Sequence, residues 1–131
     1  SIVPVFSQAL IAVLERAGTD NLQRYGAVLR NSFGDAWSGY SAVNVIGLVD
    51  CAVMDQCEYN VIANGPAGIP LVSFKKLVID PARAMGLPLL RVAQEPSRLL
   101  IHDSLVSALK ASKPSDGWGI NIVPVLEIPP A

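Results

Sequence analysis

Hydrophobic and polar positions along this chain twice follow the same order. An apolar run, Val3-Pro4-Val5-Phe6, meets Ser7, and leucines at helical spacing follow, Leu10 and Leu14, before Gly18. Later, Leu99-Leu100-Ile101 meets His102 and Asp103, and Leu105 and Leu109 follow before Pro114. Residues four apart share one helical face, and a polar side chain just ahead of the first turn can accept from a free backbone N–H. Each copy predicts a strand entering a capped helix and a second strand after it, so the fold is expected to use a strand–helix–strand unit twice. Ser7 is the expected cap of a helix over 9–17, with Gly18 as its left-handed stop. His102 or Asp103 is expected to cap the second helix.

Between the two copies the pattern is mostly extended. Residues 25–30 predict a short strand, and Asn31-Ser32-Phe33-Gly34-Asp35 a loop. Positions 40–49 are apolar almost throughout and rich in β-branched residues, which predicts a central strand covered on both faces. Residues 60–68 carry Asn-Gly-Pro-Ala-Gly and predict a turn. A strand is expected over 71–79 with Lys75-Lys76 in its middle, then one helical turn over 81–85 opened by Pro81. Strands over 89–93 and 99–101 follow, then a turn at Ser115-Asp116-Gly117, a closing strand over 119–125 and a short tail. Two short helices and about six strands without regular β–α alternation make an α+β fold with a mixed or antiparallel sheet.

Composition sets the size and class. A chain of 131 residues is expected to form a single domain, 1–131. Hydrophobic residues make up 51% and charged residues 16%, with a mean hydropathy of +0.42, which excludes disorder and implies a surface that expects a partner. The longest apolar run, 40–54, is interrupted by Asn44 and Asp50 and is shorter than the roughly 20 residues of a membrane helix. No basic segment precedes a compact apolar stretch, so no signal peptide is expected, while Ser1 in place of Met leaves room for a native N-terminal segment. Two cysteines, Cys51 and Cys57, are too few for a disulfide scaffold, and the expectation is reduced thiols in a cytoplasmic protein.

The net charge of −1 argues against a nucleic-acid binder, and its distribution is more informative than its total. No Lys or Arg lies between Arg30 and Lys75, a stretch that holds Asp35, Asp50, Asp55 and Glu58. The aromatic residues Phe33, Trp37, Tyr40 and Tyr59 fall in the same stretch. Aromatic anchors beside carboxylates suit an interface with a basic protein. The expected partner-binding residues are therefore Asp35, Trp37, Tyr40, Asp50, Asp55, Glu58 and Tyr59. The competing reading has Trp37 and Tyr40 simply packing at a strand end.

Catalytic chemistry finds little purchase. The single histidine, His102, could be combined with Cys51 or Cys57 as a small cysteine-dependent hydrolase, with Asp103 as the third member. Adjacent residues at a helix start point apart, so Asp103 is poorly placed to orient His102, and a capping role fits better. Asp50, Cys51, Asp55 and Cys57 are close in sequence, yet nothing fixes them as a cage, and neither metal nor cofactor is expected. Gly65-Pro66-Ala67-Gly68 lacks the Lys-Ser/Thr of a phosphate loop. A structural or interaction module is a further alternative, and self-association is compatible with either.

The joint order of the motifs carries a resemblance. A helix reading Leu-Ile-Ala-Val-Leu-Glu-Arg-Ala-Gly precedes Asp20-Asn21-Leu22-Gln23, then the run 40–50 ending in Gly-Leu-Val-Asp. Phe74-Lys75-Lys76-Leu77-Val78-Ile79-Asp80-Pro81, Gly86-Leu87-Pro88-Leu89-Leu90-Arg91 and Leu100-Ile101-His102-Asp103-Ser104-Leu105 follow. From about Val5 to Val125 this string resembles a bacterial polymorphic-toxin immunity family, the eleventh class of such immunity proteins, formerly a domain of unknown function. Leu90 stands where that pattern has Phe, and His102 where it has a Ser cap. The resemblance implies a small, non-catalytic cytoplasmic protein that binds and neutralises a cognate toxin encoded nearby.

Overall fold

The computed structural model describes residues 3–129. The first unit forms as the pattern predicts. Strand β1 (Val5–Ser7) runs into helix α1 (Gln8–Arg16), whose first turn is capped by the Ser7 hydroxyl accepting from Leu10 N at 3.2 Å. Gly18 at φ +108° ends it. The chain returns as β2 (Leu22–Arg30), turns at 31–35, and runs back as β3 (Ala36–Val45). These three strands form an antiparallel sheet in the order β1-β3-β2.

The run 40–49 does not form one strand covered on both faces. In β3, Ser41, Val43 and Val45 are buried while Tyr40, Ala42 and Asn44 are partly exposed, so only one face is covered. The chain breaks at Gly47, which sits at φ +142°, and resumes as β4 (Leu48–Val49) in a different sheet. The Asn21 amide holds that break, donating to Ile46 O at 2.6 Å and to Leu89 O at 2.8 Å.

The strand covered on both faces is instead β8 (Leu89–Val92), reached through the hairpin β5 (Glu58–Asn64) and β6 (Pro70–Lys76), then β7 (Val78–Ile79). It pairs in parallel with β4 and antiparallel with β9 (Glu95–Ile101), making a mixed sheet. Leu89 belongs to a core with Leu10, Ile11, Val43 and Val45, whereas Leu90 and Val92 belong to a second core with Val49, Cys51, Val72 and Phe74. Successive side chains of a strand point to opposite faces, so this sheet divides the two cores.

The second unit begins as expected and ends differently. Helix α2 (Asp103–Ala111) follows β9, and His102 rather than Asp103 is its cap, Nδ1 accepting from Ser104 N at 3.0 Å. Leu105 and Leu109 enter the first core beside α1. The expected strand over 119–125 is irregular, since Pro114 and Pro124 flank glycines 117 and 119 at φ +73°. Trp118 folds back instead, its indole N–H donating to Leu109 O at 2.8 Å. Strand β10 (Leu126–Glu127) then pairs in parallel with β7.

Two further boundaries move. The turn expected over 60–68 shrinks, because β5 runs to Asn64 against β6. The strand expected over 71–79 divides at Leu77, which leaves Lys75-Lys76 at the end of β6 rather than in mid-strand. The α+β class holds, with ten short strands in four small sheets among the described residues.

Two substitutions probe this arrangement by urea denaturation. Leu105→Ala opens a void at a site with no exposed surface and should lower stability by about 3 kcal/mol. Gly47→Ala should also destabilise, because its new Cβ would meet Leu87 Cδ1 at 3.0 Å at a φ that L-residues rarely adopt.

Candidate functional site

The seven residues expected to contact a partner fall on two surfaces rather than one. Asp35, Trp37 and Tyr40 lie on the β2–β3 ribbon. Asn31 builds its end: Oδ1 accepts from Phe33 N at 2.9 Å and Asp35 N at 3.0 Å, and Nδ2 donates to Asp35 Oδ2 at 2.9 Å. This local knot leaves Phe33 projecting, 89% exposed.

Pairing register shows which side chains share the outer face of that sheet. Val5, Ala42 and Tyr25 form one row, and Ser7, Tyr40 and Ala27 the next on the same side. Trp37 lies three residues before Tyr40, a spacing that would turn it to the opposite face of a regular strand. The register shifts between Ala27 and Leu29, so β3 spends an extra residue where Gly39 adopts φ +84°. This bulge places Trp37 opposite Leu29, on the side of Tyr40 and Tyr25. Gln23 and Asn44 complete the face, hydrogen-bonded to each other at 3.2 Å, and no charged side chain occurs in these rows. Tyr25 and Leu29 were not among the expected residues, although the alternation Gln23-Tyr25-Ala27-Leu29 carries the signal.

The remaining four residues surround β5 and the loop before it. Asp50 and Asp55 line an open groove of about 350 Å³ with Met54, Pro70, Arg83 and Gln94. Gln94 is 3% exposed, and its Nε2 donates to Asp50 Oδ1 at 2.6 Å. The other atom of that amide, Oε1, is buried and has no partner among the described residues. An unpaired buried acceptor costs on the order of 1–3 kcal/mol. Sequence reading missed Gln94, whose one signal is a polar residue between apolar Ala93 and Glu95-Pro96. Glu58 and Tyr59 open β5, where Tyr59 meets Phe74 edge-on with ring centroids 6.2 Å apart.

The stretch without Lys or Arg is not without counter-charge in space. Arg83 reaches the groove from beyond it, with Nη1 donating to Ala52 O at 3.4 Å and Nε 3.4 Å from Asp80 Oδ2. Lys76 stands opposite Glu58 in the β5–β6 ladder. Asp80 offsets Arg83, so the groove keeps a net negative charge from Asp50 and Asp55, neither of which forms an ion pair among the described residues.

The cysteine–histidine arrangement is not assembled. Cys51 has no exposed surface and lies in the second core, whereas His102 is exposed and its Nδ1 serves the α2 cap. Burial pushes the Cys51 thiol above the ordinary thiol range; a backbone hydrogen bond and Arg83 oppose this, and Asp50 and Asp80 reinforce it. Cys57 is held by the β7 backbone, Sγ accepting from Val78 N at 3.3 Å and donating to Val78 O at 3.4 Å. Among the described residues no three His, Cys, Asp or Glu side chains gather as a metal set.

A raised thiol pKa predicts both reactivity and pH dependence. Iodoacetamide at neutral pH should modify Cys51 only as fast as the fold opens, with Cys57 reacting first by mass spectrometry of timed samples. The unfolded chain releases the Cys51 proton at lower pH than the native protein does. Its contribution is therefore intact below the ordinary thiol range and lost as pH rises through it and beyond. Cys51→Ala should flatten that alkaline decline in melting temperature.

No family model matches this chain, and no curated protein matches it.

Proposed function

We propose that this protein is a non-catalytic immunity protein that binds a cognate bacterial toxin one to one and neutralises it in the cytoplasm. The order of motifs along the chain is what suggests that family. The observation that carries the reading is the groove, which two exposed carboxylates line without ion-pair partners among the described residues. Two such carboxylates suit a lysine or arginine side chain, the group that a basic toxin cleft would supply.

The roles of the individual residues follow from their exposure. Asp55 and Glu58 are exposed and contribute potential, which speeds and orients encounter more than it holds the complex. Asp50 is anchored by Gln94 and offers its second oxygen at a fixed position. Tyr59, already braced against Phe74, provides a rigid aromatic edge at little entropic cost.

Co-expression with the product of the neighbouring gene tests the reading. We expect protection from growth arrest and co-purification as a stoichiometric complex; a harmless neighbour that does not bind would overturn it. Reversing charge at Asp55 and Glu58 should slow association about tenfold and weaken its salt dependence, measured by stopped flow. Asp50→Asn keeps an acceptor for Gln94 and removes the charge, and should raise the dissociation rate about tenfold, roughly 1.4 kcal/mol.

A further inference from the structure

We propose that His102 makes the first turn of α2 a pH-sensitive element, closed while the imidazole is neutral and released when the ring takes up a proton. The two helices open in the same way except for the capping group. Ser7 caps α1 with a hydroxyl, which does not titrate and accepts from Leu10 N. His102 caps α2 with Nδ1, which accepts from Ser104 N at 3.0 Å. A ring nitrogen accepts only while it carries no hydrogen, so this cap requires the neutral tautomer with its hydrogen on Nε2.

The proton cannot be taken up in place without losing the cap. A hydrogen on Nδ1 keeps the Ser104 hydroxyl, 2.9 Å away, as an acceptor, but Ser104 N–H is then left facing a second donor. The new charge also lies at a helix N-terminus, where the free N–H groups of the first turn disfavour a cation. Asp103, next in the chain, attracts it. The charged groups on the neighbouring elements are Glu95 and Arg98 of β9, Arg91 of β8, and Glu15 and Arg16 of α1. Glu95 pairs with Arg98 and Glu15 with Arg24, and no ion pair among the described residues includes His102. An exposed pair of charges contributes less than a helix cap does, so loss of the acceptor decides the sign. The turn is therefore secure where the ring is neutral and weakens as pH falls from about 8 to about 5.

The position of the turn gives its release a consequence. His102 N–H donates to Pro88 O at 2.8 Å, just ahead of β8, and its carbonyl accepts from Leu105 N at 3.0 Å and Val106 N at 3.2 Å. Leu105, with no exposed surface, is the first α2 side chain in the core shared with Leu10, Val43 and Leu89. Release of the cap loosens the corner where β8, β9 and α2 meet, while α1 keeps its own cap. The device is independent of toxin binding, because none of residues 102–106 lines the Asp50–Asp55 groove.

Heteronuclear NMR of the imidazole and melting temperatures of the full chain, at about pH 8 and about pH 5, test this. His102→Asn and His102→Ser provide caps that do not titrate in that range. Because His102 is the single histidine, its ring signals need no further assignment. At the higher pH we expect the hydrogen on Nε2 and a bare Nδ1, and the Ser104 amide resonance should move with the ring as it titrates. On acidification the unsubstituted protein should lose about 3 °C more in melting temperature than His102→Asn, which subtracts the response of every other titrating group. His102→Ser takes the place of the Asn variant if that one does not fold. A ring hydrogen on Nδ1 at the higher pH would overturn the proposal. So would a Ser104 amide indifferent to the ring, or an equal loss of melting temperature with and without the histidine.

Discussion

Leu89 on one face of β8 and Leu90 and Val92 on the other are all buried, so this strand must be covered twice. The rest of the molecule is arranged around that requirement. Helices α1 and α2 and the inner face of β3 close one side, while the β5–β6 hairpin with Val72 and Phe74 closes the other. The paired strand β9 obeys the same division, with Leu99 and Ile101 on the helical side and Leu100 on the hairpin side. A sheet buried on both faces must satisfy its edges as well. Gly47 O accepting from Arg91 N and Val49 O accepting from Ala93 N tie β4 to β8, and the Asn21 amide bridges the adjoining chain break.

This arrangement decides where the surfaces lie. With both helices committed to the inner side of the β1-β3-β2 sheet, its outer side has no element among the described residues to cover it. The groove arises for a related reason. Gln94 sits at the tight turn between β8 and β9, its backbone carbonyl accepting from Val72 N, so its side chain is buried where the hairpin meets the loop carrying Asp50.

Charge on this protein separates by surface rather than by sequence block. The acidic stretch loses its isolation when Arg83 and Lys76 return to it, yet Asp80 and the ladder position opposite Glu58 account for those cations. Asp50 and Asp55 have no ion pair among the described residues, and neither do Asp35 and Glu58. The outer sheet face is neutral because its rows draw on alternate positions of β2 and β3, while Arg24 turns to the helical side and meets Glu15 at 3.5 Å.

Local chemistry was enough for the helices and caps, because Ser7, His102 and the leucine spacing act within a few residues of one another. It was enough, too, for the α+β class. The run 40–49 shows the limit: its apolar character is shared by a strand covered on one face and by a chain crossing between sheets, and only the turn at Gly47 separates them. The two-faced burial of β8 is invisible in four residues, Leu-Leu-Arg-Val, whose pattern says nothing of what covers each side. The closing segment failed for the opposite reason, since Trp118 folds back on α2 while Ile120, Ile122 and Val123 stay exposed, without a neighbouring edge to pair with. Tertiary structure alone brought Gln94 and Arg83 to Asp50, and turned Trp37 onto the face of Tyr40 by one inserted residue. Register and long-range contact are properties of pairs of segments, and no single segment encodes its partner.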